Sequence, residues 1–231
     1  MTTAELVTLI KSRYGEDGTG QVSSTQIVAF LNSAQMELCS KGNILPTCAT
    51  LDLTTGVQDY ALPSNFHRIQ AVFLKRTTGS QAKRLLEPIG IQQVDPAKPP
   101  GDPEQYFVWG ANDSVTGLHT YYIGFQRVPD YTTSDKPVEI FYRRLPTLMV
   151  SGGADPEVDA PWQEALVEGA LMMVYQRLVS TDPTWGPVYA GSRKRWDDWL
   201  EEAEAHIPNI VIDRPFSPLD SWGYATGRRW Y

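Results

Sequence analysis

The chain has 231 residues, 42% of them hydrophobic and 20% charged, with a formal net charge of −7. That length carries one large domain or two small ones, and the composition is that of an ordinary soluble globular protein rather than a disordered or fibrous one. No apolar run reaches membrane-spanning length, the N-terminus lacks the basic-then-apolar order of a signal peptide, and the acidic balance opposes a surface built to grip phosphate.

Two helices open the chain. Thr2 with Glu5 forms a capping box ahead of Leu6, Leu9 and Ile10, and the helix gives out at Gly15-Glu16-Asp17-Gly18-Thr19-Gly20. That loop lacks the ligand spacing of a calcium site and the Gly-Lys-Ser/Thr ending of a phosphate loop, so it reads as a plain turn. Ser23 with Gln26 opens a second helix, whose stripe is Ile27, Phe30, Leu31, Ala34 and Leu38 and whose stop is Gly42.

From Ala49 the period becomes alternating. Leu51 and Leu53 share one strand face, Gly56 turns the chain, Tyr60 and Leu62 share the next face, and Pro63 ends it. Ile69–Leu74 follows, then Leu85-Leu86, a proline-rich loop over 96–103, and strands at Gln105–Trp109, His119–Gln126 and Val138–Arg143. About six strands without βαβ alternation give a mainly antiparallel β-region.

Two late helices break near Asp182-Pro183. In the first, Leu166, Val167, Ala170, Leu171, Met173, Val174 and Leu178 cover most of the circumference, leaving Glu164 and Glu168 as a narrow stripe for water. Asp159 is its candidate N-cap and Pro161 sits in the first turn. The second, from Val188 to Ile207, aligns Tyr189, Trp196, Trp199, Leu200, Ala203 and Ile207 on one face. Helices from both chain ends therefore pack as a bundle around an inserted β-region, an α+β fold. The expected organisation is one domain over 1–207, with helices in 2–42 and 159–207 and the β-region in 49–145, then an extended tail over 208–231.

Catalytic signatures are absent from the sequence. His67, His119 and His206 are scattered, no His/Cys/Asp set has metal-ligand spacing, and neither a Gly-x-Ser-x-Gly elbow nor a His-Glu-x-x-His helix occurs. Cys39 and Cys48 read as two reduced thiols, and Cys39 with His67 is too generic a pair to name a nucleophile. The expectation is no enzyme, no metal and no cofactor. Asp197-Asp198 and Glu201-Glu202 are paired carboxylates on an exposed helix, and the Trp and Tyr content would suit a sugar platform. A carbohydrate-binding or depolymerising tail component is therefore the alternative class.

Several stretches occur in a familiar order: Leu31-Asn32-Ser33-Ala34-Gln35-Met36-Glu37-Leu38, Gly56-Val57-Gln58-Asp59-Tyr60-Ala61-Leu62-Pro63, the strand through Ile69 and Val72, Pro161-Trp162-Gln163-Glu164-Ala165-Leu166, and a helix entered after Asp182-Pro183. From about residue 4 to 207 the chain resembles the head-to-tail adaptor proteins of tailed bacteriophages, also called connector or tail tubular A-like proteins, above all those of short-tailed phages. The resemblance implies a structural virion protein made in the host cytoplasm. It implies a ring, usually dodecameric, beneath the portal protein, with a downstream tail or nozzle protein attached and no membrane partner. DNA would pass through the channel without specific binding, which an acidic lumen favours.

Two groups of residues are candidates for partner contact. Arg193, Lys194 and Arg195 lie toward the start of the last helix and Glu201, Glu202 and Glu204 toward its end, an order that opposes the helix dipole. Arg193–Asp197 and Lys194–Asp198 would be compensating pairs. The expectation is that the basic end of one subunit meets the acidic end of the next. The tail has no helical or strand period, yet carries Phe216, Trp222, Tyr224, Trp230 and Tyr231 with Arg214, Arg228 and Arg229. Those aromatics are costly to leave in water, so the tail is expected to bind a partner or its own domain in extended form.

Overall fold

The computed structural model describes residues 1–15, 22–75, 83–112, 119–131, 136–150 and 153–206. Four α-helices, α1 (Thr3–Tyr14), α2 (Ser24–Lys41), α3 (Ala160–Val179) and α4 (Gly186–Ala205), come from the two ends of the chain. Between them lie β1 (Pro46–Leu51), β2 (Asp59–Ala61), β3 (Phe66–Lys75), β4 (Lys83–Leu85), β5 (Glu87–Pro88), β6 (Gln105–Asn112), β7 (His119–Phe125) and β8 (Val138–Arg144). The fold is α+β, as the patterning requires.

Local chemistry explains where the helices begin and end. Both capping boxes form: the Thr2 hydroxyl accepts from Glu5 N while Thr2 N donates to Glu5, and Ser23 with Gln26 repeats the arrangement. Gly15 ends α1 in the left-handed region at φ 79°, where a side chain would be strained. Gly42 follows α2 for another reason, since its backbone is extended. A Cβ there would lie 2.7 Å from Leu38 O and 2.9 Å from the Ala203 Cβ. It is the place where the ends of α2 and α4 touch. Asp159 precedes α3 without a side-chain cap bond, whereas the Asp182 carboxylate accepts from Thr184 N and starts the short 3₁₀ turn that leads into α4.

The strands form two four-stranded sheets, ordered β1-β8-β3-β4 and β2-β7-β6-β5, antiparallel throughout except where β5 runs parallel to β6. Strand β1 begins three residues earlier than its alternation suggested, and β5 had no periodic signal at two residues. Val72, Leu74 and Ile140 from one sheet meet Tyr106, Ile123 and Phe125 from the other in a single β core. Phe66 bridges the sheets, with its ring edge-on to Tyr121 at 5.4 Å and near Tyr142 at 5.7 Å.

A second core fills the bundle: Leu6 and Ile10, Ile27, Leu31 and Leu38, Leu166, Ala170 and Val174, and Trp196. The joint between the two cores is polar. Asn43 N donates to Ala203 O, Arg144 N to Leu45 O, and the His67 ring approaches Ser40 O. After β8, the Asn32 side chain on α2 gives and receives a hydrogen bond with the backbone of Met149, as a neighbouring strand would. The Arg144 guanidinium holds Glu157 just before α3.

Candidate functional site

The last helix carries the charged residues that the sequence singles out, so its seating decides what they can reach. Ser192, Trp196, Leu200 and Ala203 form its buried stripe, at helical spacing. Tyr189 and Trp199 reach the core only in part, and Ile207 lies outside the described residues. Trp196 is the bolt. It is 1% exposed, its indole N–H donates to Glu37 on α2 at 3.2 Å, and its ring lies over Gly169 of α3. A Cβ at Gly169 would sit 2.8 Å from that ring and 2.9 Å from the Ala34 Cβ. Three helices converge there only because α3 has no side chain at that point.

Glu168 corrects the sequence expectation. It does not face water: with 9% of its surface exposed, it accepts from Arg195 Nε at 2.8 Å and from Arg13 Nη1 at 3.2 Å. Arg13 also donates to Glu164 at 2.6 Å, and that bond raises the guanidinium's pKa. One carboxylate on α3 thus gathers α1 and α4. The sequence gave no local sign of this, because Arg13 and Glu168 are 155 positions apart.

Arg195 is therefore engaged within its own subunit. Arg193 pairs with Asp197 one turn on, both oxygens at 3.2 Å, as the spacing suggested. Lys194 and Asp198 are exposed and form no ion pair among the described residues. At the other end Glu201, Glu202 and Glu204 are exposed. Glu204 leans toward Arg143 of β8. Burial, and then Arg68 opposite it on β3, pull the Arg143 guanidinium below its ordinary pKa, while Glu204 works against both. The outward face of α4 thus runs from Arg193 and Lys194 through Asp197 and Asp198 to Glu201 and Glu202.

Beside the basic end, Phe30 and Ser33 of α2, Met172, Met173, Gln176 and Arg177 of α3, and Arg193 line an open, mostly apolar groove. Of the aromatics considered for sugar binding, Trp162 and Trp196 are buried in the bundle. Trp109 stacks on Tyr122 at 4.6 Å and donates its N–H to Asp59, on the second sheet. Asp197 and Glu201 lie on a convex helix surface rather than in that neighbourhood. Among the described residues no group of His, Cys, Asp and Glu could hold a metal ion, and Cys39 and Cys48 are both free thiols. Burial pushes the Cys39 thiol up to about 12, leaving Cys48 as the accessible one. Phe216, Trp222, Tyr224, Arg228, Arg229, Trp230 and Tyr231 lie outside the described residues.

No helix is long and apolar enough to cross a membrane, among the described residues. A comparison with curated proteins finds no match. The family model described as SU10 adaptor protein matches residues 1–191, which takes in the whole β-region, α1 to α3 and the start of α4. The charged half of α4 and the tail lie past the matched stretch. The chain belongs to the SU10 adaptor protein family and is a structural adaptor protein of a phage virion.

Proposed function

We propose that this protein is a head-to-tail adaptor that forms a ring, dodecameric as in the proteins it resembles, beneath the portal protein. The ring extends the DNA channel and presents an attachment point to a tail or nozzle protein, with no enzymatic step of its own. DNA passes without specific binding, in keeping with a net charge of −7. The observation that carries this reading is the outer face of α4. Its charges run basic to acidic against the helix dipole, an order that costs stability within the subunit. It is held on a helix that Trp196 and Glu168 fix rigidly. A rigid surface with opposite charge at its two ends is self-complementary head to tail, and repeated contact of that kind closes into a ring.

Electron microscopy of the purified protein mixed with its portal tests the reading. Wild type should give closed rings on portal, and the double substitution Arg193→Glu with Lys194→Glu should abolish them. Its melting temperature should stay near wild type, because both residues are exposed and only Arg193 has an ion-pair partner, itself exposed. Arg195 is unsuitable for this test, since reversing it breaks the pair with Glu168. The tail aromatics from Phe216 onward are proposed to bind the portal. Deleting 216–231 should then leave rings intact and detach them from portal. Rings unaffected by the double reversal count against the α4 contact.

A further inference from the structure

The two sheets expose four edges, and three are blunted. Strand β2 has three residues and carries Asp59, β4 carries Lys83 and Arg84, and β5 has only Glu87 and Pro88. Strand β1 is different. Its six residues, Pro-Thr-Cys-Ala-Thr-Leu, have no charge, and one side pairs with β8 while no described residue pairs with the other. Proteins protect long uncharged edges because their free N–H and C=O groups recruit any extended chain.

The chain's own continuation leaves the described structure beside that edge. Helices α2 and α4 run in the same direction: Ala34 and Glu37 meet Trp196, and Gly42 meets Ala203 seven residues further on. They end together, tied by Asn43 N to Ala203 O. The continuation of α2 is β1. That of α4 starts next to it, and His206 is already in extended backbone at φ −61°, ψ 121°. Two more residues, Ile207 and Pro208, carry the chain about 10 Å further. Then come Asn209-Ile210-Val211-Ile212-Asp213-Arg214, bracketed by Pro208 and Pro215. The run Ile210-Val211-Ile212 does not alternate, but it is β-branched throughout and suited to a strand. The window between the prolines matches β1 in length.

We infer that residues 209–214 of the same chain add a strand to the open edge of β1, parallel to it. This inference does not depend on the ring or on the portal contact. The residues that follow, from Phe216, would then start from a fixed point on the first sheet.

Cys48 on β1 is an exposed native thiol and serves as the probe. Cysteine is placed singly at Asn209, Ile210, Val211, Ile212 and Asp213 in the full chain, and a mild oxidant is added. Neighbouring strands bring Cα atoms within disulfide range only where side chains share a face. The expected result is rapid bonding to Cys48 at alternate positions, within a monomer. Equal bonding at all five positions, or at none, overturns the proposal. Disulfide-linked dimers with the same alternation also overturn it, and assign the edge to a neighbouring copy. Hydrogen exchange supplies a second readout, with Val211→Pro in the full chain. The β1 amides that do not face β8 should lose protection about tenfold, while those facing β8 keep theirs. Unchanged exchange in that variant is the contrary result.

Discussion

The bundle and the β-region solve the same problem with different means. In the bundle the contacts join distant parts of the chain. Met1 reaches Gln163, Thr3 bonds to Ala154 and Asp155, and Arg13 meets Glu164 and Glu168. Specificity there rests on a few tight points, Gly169 under Trp196 and Gly42 against Ala203. In the β-region it rests on register, ring pairs and short charged edges. The comparison teaches that the helices act as a frame whose outer charges are free for other work. The sheets have edges to hide.

The largest test of this comparison removes equivalent bulk from each core. Leu166→Ala in the bundle and Ile123→Ala in the β core each truncate a side chain with 0% exposure. Each should cost about 2–5 kcal/mol, or roughly 2–4 °C of melting temperature per kcal/mol in a chain of this size. Because the joint is closely hydrogen-bonded and α2 runs straight into β1, calorimetry should show one transition in both variants. Two resolved transitions would make the cores independent units.

A smaller effect is expected where helices approach most closely. Gly169→Ala must displace the Trp196 ring and Ala34 together, and overpacking of this kind costs about 1–3 kcal/mol. Trp196 fluorescence should shift with the loss, since its ring is what moves. A variant as stable as wild type would show that the convergence of α2, α3 and α4 is looser than described.

The smallest effect concerns the joint. Burial raises the Glu157 pKa, but hydrogen bonds from Thr147 and Arg144 together outweigh it and hold the carboxyl below its ordinary value. A depressed carboxyl contributes stability that is fully present above its unfolded pKa, near 4.5, and is lost as pH falls through the lower folded value. Melting curves from neutral pH downward should therefore show a loss below that point that is shallower in Glu157→Gln. Identical slopes in the two proteins would remove Glu157 from the coupling between cores.

Much of the fold was legible because its signals are local. Thr2 with Glu5, Ser23 with Gln26, Pro161 and Asp182-Pro183 mark helix ends in the sequence as they do in space. The strands at Gln105–Asn112, His119–Phe125 and Val138–Arg144 followed from aromatic and β-branched runs. The division into two sheets was not legible, since alternation reports a face and never a partner. Nor was the role of Glu168. Its spacing from Glu164 looks like a solvated stripe, and only the approach of α1 and α4 supplies the two guanidinium groups that make burial tolerable. The α4 charges were read correctly as a surface, except for Arg195, whose partner lies on another helix.

The distance in sequence between the two halves of the bundle sets a schedule during synthesis. Helices α1 and α2 are complete at Lys41, but α3 begins at Ala160. At roughly 5–20 residues per second, the apolar stripes of Leu6, Ile10, Leu31 and Leu38 wait about 6–24 s for the helix that covers them. The β-region emerges in that interval and has its own core, with β1 and β8 adjacent as its first and last strands. The sheets can therefore close on the ribosome while the first two helices are still without α3, and in that interval the nascent chain is most exposed to aggregation and to chaperones.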